Sequence, residues 1–185
     1  MTRLFIMDPQ VAFFIAQGIS VITGIMAIVM MQLKSMRVIL IFQILTNLFA
    51  SSSYLFLDGK SGMLVSLLAV VCSVVMYFYN TKNRKPHLLV AALFIAAYVA
   101  SAVYSTVTSS DPWELLPAFS ATCFVLSLIQ IKTSYFRIFA TLNPIFWLPY
   151  DLHTASYVMF IVHFGILVSS VIGMIRLDGL FRKKK

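Results

Sequence analysis

Charge is what this sequence has least of: only 11% of its 185 residues are Asp, Glu, Lys or Arg. An ordinary soluble domain carries about a quarter, so a water-facing surface of normal size cannot be built from these residues. Cysteine is nearly absent too, with Cys72 and Cys123 both inside apolar runs. That excludes a disulfide framework and any CxxC metal spacing, and leaves both thiols as small packing residues. No paired carboxylate, His/Cys ligand cluster, G-x-S-x-G elbow or phosphate-binding glycine loop occurs. An enzyme, a bound metal and a cofactor are therefore not expected. Linker-like stretches are missing as well, and the one low-complexity segment is the terminal Arg182-Lys183-Lys184-Lys185.

What remains is hydrophobic: 61% of the residues are apolar and the mean hydropathy is +0.94. Uncharged stretches able to cross a hydrocarbon core of roughly 30 Å run over residues 11–31, 38–57, 61–80, 87–108, 115–131, 138–150 and 155–175. The first is longer than a secretory h-region and lacks a small-x-small cleavage site, so it reads as a helix rather than a leader. The sixth is short, borrows residues 134–137 as an interfacial first turn, and contains Pro144 and Pro149, which make it the helix expected to kink. The expected fold is all-α: one polytopic membrane domain over 1–185, in contact with the lipid bilayer along its length.

The net charge of +8 does not point to nucleic acid, because the basic residues cluster in short connections instead of along one face. Lys34, Arg37, Lys82, Arg84, Lys85, Lys132, Arg137, Arg176 and the terminal run make twelve of the fourteen Lys and Arg, and all fall on one side of the seven crossings. Arg3 and Lys60 fall on the other. Basic loops stay cytoplasmic, so the N-terminus is expected outside and the C-terminus inside. Five of the six acids, Asp8, Asp58, Asp111, Glu114 and Asp151, then lie in outside turns. The basic tail reads either as a topology anchor or as a contact with anionic lipid, at about 1 kcal/mol per charge.

An internal duplication is also legible. Gln32-Leu33-Lys34-Ser35 after the first span resembles Gln130-Ile131-Lys132-Thr133 after the fifth, and Asn47-x-x-x-Ser51-x-x-Tyr54 in the second resembles Asn143-x-x-x-Trp147-x-x-Tyr150 in the sixth. Each motif is followed by an outside turn with an acid and a serine, Asp58 and Ser61 in one case and Asp151 and Ser156 in the other. The expected organisation is a three-helix repeat over 11–80, a linker helix over 87–108 and a second repeat over 115–175, because two parallel copies of three crossings need one crossing between them. Ala92, Ala96 and Ala100 give the linker helix a small-residue stripe suited to close packing.

Over nearly its whole length the chain resembles the YgjV-type bacterial inner-membrane proteins. Through the duplicated motifs it is similar, more remotely, to the SWEET and PQ-loop facilitators, whose two parallel three-helix repeats flank a midplane site. That resemblance implies a facilitator of a small neutral polar solute such as a sugar, working by alternating access. Ser51 and Trp147 occupy motif positions that face the sugar in that family, and an indole stacks on the C–H face of a pyranose while hydroxyls bond its rim. Trp147 also reads as a core or belt aromatic. Tyr54 and Tyr150 match an outer gate, and both are also what an interfacial belt would contain, the belt being favoured for Tyr150 beside Pro149 and Asp151 and the gate for Tyr54.

The family's asparagines in the third and seventh helices are replaced near Ser66 and His163, and the mid-helix prolines of the first and fifth are missing, leaving Gly24 as the soft point of the first. Ser51, Ser66, Trp147 and His163 are thus the expected substrate-binding residues, with Asn47 and Asn143 holding their helices through interhelical hydrogen bonds. His163 stands out as an ionisable group well inside a span, which reads as functional or as a neutral imidazole bonded to a hydroxyl. No Asp, Glu, Lys or Arg falls inside the spans as drawn, and this favours downhill passage over ion coupling unless His163 itself takes the proton. His87 and His153, at opposite faces, read as solvated loop residues. The competing class is a non-transporting bundle, a receptor such as the KDEL receptor resembles in architecture, or an assembly subunit; a homo-oligomer is compatible with either.

Overall fold

The computed structural model describes residues 8–56, 60–153 and 157–178. Asp58 and Ser156 of the outside turns lie outside that set, as do the side chains of Tyr54, Ser61 and Glu114. Every element within it is helical: α1 (Pro9–Met30), α2 (Met36–Phe56), α3 (Lys60–Thr81), α4 (Leu88–Ser109), a 3-10 turn at Pro112–Leu115, α5 (Leu116–Leu128), α6 (Thr133–His153) and α7 (Tyr157–Leu177). Helices of 21 or 22 residues, as all but α5 are, span about 32 Å at 1.5 Å per residue. Three are long and apolar enough to cross a bilayer on those criteria alone, over Gln10–Met30, Met36–Ser53 and Val158–Leu177.

The helix ends follow from local chemistry. Asp8 caps α1 by accepting from the Gln10 N–H at 2.8 Å, with Pro9 in the first turn where no donor is lost. Ser110 closes α4 in the left-handed region at φ 57°, its N–H donating to the Thr106 carbonyl at 2.8 Å. Asp111 then opens the 3-10 turn by accepting from the Trp113 N–H at 3.0 Å.

Short connections make successive helices neighbours: α1 packs on α2, α2 on α3, α5 on α6 and α6 on α7. An α1–α7 seam and a thinner α3–α5 seam close these six into a ring, and α4 lies against α5. The α1–α7 seam is tight because glycines face bulky side chains across it. A Cβ on Gly24 would come within 2.8 Å of Val162, and one on Gly165 within 2.8 Å of Ile28. Gly24, read from sequence as a soft point, is therefore a packing residue.

Burial is inverted relative to a water-soluble protein. Leu88, Val107, Phe14, Leu89 and Ile161 are all more than two-thirds exposed, whereas Thr46, Ser51, Ser53, Ser66, Ser73, Ser120, Ser127, Ser169, Ser170, Arg137 and Asp151 are buried. An apolar exterior around a polar, small-residue interior is what lipid as solvent selects. The packed hydrophobic core, built on Met30, Met31, Met36, Ile39, Leu40, Met76, Val125, Leu128 and Phe136, gathers at the end of the bundle where the basic connections lie. Towards the acidic end, where Asp8, Asp111 and Asp151 sit, the buried groups are small, Ala16, Ala118, Ser51, Ser53, Ser66 and Ser120 among them, together with the Asp151 carboxylate.

α6 departs most from expectation. It continues unbroken from Thr133 to His153 through Pro144 and Pro149. Asp151, placed in an outside turn by its charge, is therefore helical and only 3% exposed. Arg137, taken as an interfacial first turn, is likewise 0% exposed, so both charges that flank the drawn span 138–150 are buried.

Candidate functional site

Trp147, Tyr150 and Asp151 are spaced i, i+3 and i+4 on α6, which puts all three on one face. That face meets α7 at His163. The indole of Trp147 and the imidazole of His163 lie parallel, with centroids 5.3 Å apart and an interplanar angle of 8°. His163 Nδ1 and Asp151 Oδ2 share a hydrogen bond of 2.6 Å, their side chains 14% and 4% exposed. Tyr150 makes a T-shaped contact with Trp147, with centroids 5.6 Å apart and an interplanar angle of 75°. Counting 1.5 Å per residue, the stack sits about 9 Å inside the acidic ends of α6 and α7 and about 6 Å from the midpoints of the two helices.

A second cluster of the same composition lies at the same end. His153 Nε2 bonds Asp111 Oδ2 at 2.9 Å, and its ring stacks on Trp113 at 4.8 Å and 15°. This one is partly exposed. The hydrogen bonds from His153 and from the Trp113 N–H hold the Asp111 carboxyl below its usual value of 3.8. His153 is thus fixed by a carboxylate and an indole, not a free loop residue. Both tryptophans of the chain are stacked on a histidine that is paired with an aspartate.

At the basic end a polar network ties α1, α6 and α7. Arg137 donates from Nε to the Met31 carbonyl at 3.0 Å, from Nη2 to the Leu33 carbonyl, and from Nη1 to Asp178 Oδ1 at 2.7 Å. Gly173 leaves the room it needs, since a Cβ there would meet the Met31 oxygen at 2.6 Å and Arg137 Cδ at 3.2 Å. Gln32 donates to both oxygens of Ser169, backbone and side chain, at 2.6 and 2.9 Å, and the Ser169 hydroxyl donates on to the Ile28 carbonyl at 2.8 Å. The three helices are thereby closed over one another at that end.

Of the residues singled out from sequence, Trp147, Tyr150 and His163 come together. Ser51 and Ser66 are both buried, at 7% exposure, on α2 and α3. They sit at about the same depth as the stack, and among the described residues neither contacts it by hydrogen bond or ring. The Tyr54 side chain lies outside the described set. Asn143 donates across helices to the Ser120 carbonyl at 2.9 Å, as an interhelical brace does. Asn47 instead donates to the Gln43 carbonyl of its own helix at 2.7 Å, a bond that holds α2 to itself. Among the described residues no group of three His, Cys, Asp or Glu side chains is placed to hold a metal ion.

The residues that sequence reasoning missed are Asp151, Arg137 and Asp178. For Asp151 a signal existed in the i, i+4 spacing from Trp147, which only matters if the helix runs past Pro149. Proline permits that, because its ring costs the helix a donor without forcing it to end.

Helices with an apolar exterior, a polar interior and basic connections at one end define a polytopic helical membrane protein. The model of the Imp-YgjV family, described as bacterial inner membrane protein, matches residues 14–180. The chain belongs to that family, and so resides in the bacterial inner membrane in contact with its bilayer. No curated protein and no solved structure matches it.

Proposed function

We propose that the protein carries a small neutral polar solute, such as a sugar, across the inner membrane by alternating access. In this reading α1–α3 and α5–α7 are two parallel repeats joined by α4, with the N-terminus outside and the basic end cytoplasmic. The observation that carries it is the half-buried Trp147–His163–Asp151 cluster, held between two helices at the acidic end while an apolar core and the Arg137 network close the basic end. The indole stacks on His163, and a sugar ring would offer its C–H face to the same aromatic pair. Ser51 and Ser66, at the same depth, are the hydroxyls that would bond its rim, and Tyr54 and Tyr150, one turn nearer outside, the gate. Nothing in the reading calls for an enzymatic step.

A non-transporting bundle, a receptor or assembly subunit, is favoured by one feature: Trp147, Tyr150, His163 and Asp151 already satisfy one another. The two readings separate in proteoliposomes of the purified protein exposed to labelled monosaccharides and neutral amino acids. Saturable uptake that Trp147→Ala and His163→Ala each reduce at least tenfold, about 1.4 kcal/mol in transition-state stabilisation, is the expected result. Absence of flux across the panel from folded, correctly inserted protein would sink the carrier.

A further inference from the structure

We propose that residues 31–33, where the chain leaves α1 for α2, form the inner gate of the bundle, and that Arg137 and Ser169 are the latch that holds it shut. The latch is built from contacts alone; its effect on flux rests on the carrier reading above.

Each residue of this segment is fastened across the α1–α7 seam. Arg137 of α6 donates to the carbonyls of Met31 and Leu33, and the Gln32 side chain between them donates to the carbonyl and hydroxyl oxygens of Ser169 on α7 at 2.6 and 2.9 Å. The Ser169 hydroxyl donates on to Ile28, in the last turn of α1. Local backbone bonds do not account for all of these carbonyls. The N–H groups of Met31, Gln32 and Leu33 close the end of α1 by donating to the carbonyls of Ile28, Val29 and Met30. The carbonyls of Met31 and Leu33 come next in the chain, at the negative end of the helix dipole, where a cation is favoured. Arg137 thus caps α1 from another helix.

Three features make this a latch and not only a brace. Every tie on the segment is a single hydrogen bond at the basic end, of a kind that water can replace when the segment swings out. The ion pair does not have to break with them, because Arg137 and Asp178 both stay behind on the α6–α7 side, so the guanidinium keeps its countercharge in the open form. The closed form is also not fully satisfied: Asp178 Oδ2 is buried with no hydrogen-bond partner among the described residues. Nη2, once released from the Leu33 carbonyl, is the donor that a fork-to-fork pair with that oxygen would use. Opening therefore exchanges bonds and strands no charge. The duplicated motif supplies a comparison. Gln130, which follows α5 as Gln32 follows α1, donates to the Leu126 carbonyl of its own helix at 2.9 Å. A glutamine at this position can be satisfied locally, and Gln32 instead reaches across the seam.

The test follows the segment itself. In a Cys72→Ala/Cys123→Ala protein in lipid nanodiscs, nitroxides at Lys34→Cys and Lys132→Cys, both exposed positions, report the distance between the segment and the start of α6 by double electron–electron resonance. One short distance should dominate in this parent, and Ser169→Ala and Gln32→Leu should each raise a second, longer distance by roughly threefold or more, with helical circular dichroism unchanged. A short distance that merely broadens, or a distribution that neither variant alters, overturns the latch. Exchange of monosaccharides and neutral amino acids in proteoliposomes separates this from the carrier reading. A longer distance in the variants with no exchange of any panel member by the parent leaves the gate standing and removes the carrier; exchange by the parent with no shift of distance in either variant removes the gate and leaves the carrier.

Discussion

Arg137 offers the sharpest energetic prediction, because its guanidinium is wholly buried and its partners are unequal. Asp178, 12% exposed at the side chain, supplies the only countercharge among the described groups bonded to it; the other two acceptors are the carbonyls of Met31 and Leu33. Removing Asp178 strands a buried cation, and breaking a buried pair from one side costs about 3–5 kcal/mol. Asp178→Ala should fall near the lower end, about 3 kcal/mol, since two carbonyl dipoles still face the guanidinium. Arg137→Met fills similar space but strands the Asp178 carboxylate, 12% exposed, and leaves two carbonyls without this donor, so it too should cost about 3–5 kcal/mol. The double variant strands neither charge, and should be more stable than the sum of the two single changes implies. Reversible unfolding of the purified protein in mixed micelles, titrated with SDS and followed by helical circular dichroism, gives all three values as a double-mutant cycle. Strict additivity of the two changes would refute a buried ion pair at this seam.

Three further outcomes follow from the same contacts. Gly173→Ala places a methyl 2.6 Å from the Met31 carbonyl, a backbone atom that cannot swing away, and should cost about 1–3 kcal/mol, whereas Gly18→Ala meets nothing within 4 Å and should be neutral or stabilising in the same assay. Asn143→Leu loses an interhelical bond to Ser120 and should cost about 1–2 kcal/mol, more than Asn47→Leu, whose bond stays inside α2. The Asp111 carboxyl is held below its usual value of 3.8, so its contribution to the clip between the 3-10 turn and α6 is complete above that pH and is lost as pH falls through the lowered folded-state value. Trp113 emission in a Trp147→Phe protein should therefore change on acidification below about pH 3.8, and Asp111→Asn should abolish that dependence.

The membrane character was plain from composition and the length of the apolar runs, and six of the seven helices start or end within a few residues of where charge and hydropathy put them. α5 begins within one residue of the drawn span but ends at Leu128, three residues before it, where the chain turns towards α6. Trp147, Tyr150 and His163 were legible because an aromatic at a duplicated motif and a histidine inside a span both stand out from lipid-compatible residues. Asp151 and Arg137 were not, since hydropathy ends a span at the first charge. Whether a terminal charge faces solvent or turns inward depends on a partner on another helix: His163 for one, Asp178 for the other. Gly24 failed for a related reason, as a glycine's role as hinge or seam is decided by what packs against it, here Val162.

The central claim is that the Trp147 site opens to water on one side at a time, and chemical accessibility tests it most directly. In a chain with Cys72 and Cys123 replaced by alanine, Trp147→Cys would be exposed to a membrane-impermeant maleimide, in whole cells from outside and in inverted vesicles from the cytoplasmic side. The expected result is labelling from outside, little from inside, and a rise in labelling from inside when Asp178→Ala loosens the basic end. Labelling from neither side in any of these proteins would mean that the Trp147 position is sealed within protein or lipid, as in a scaffold.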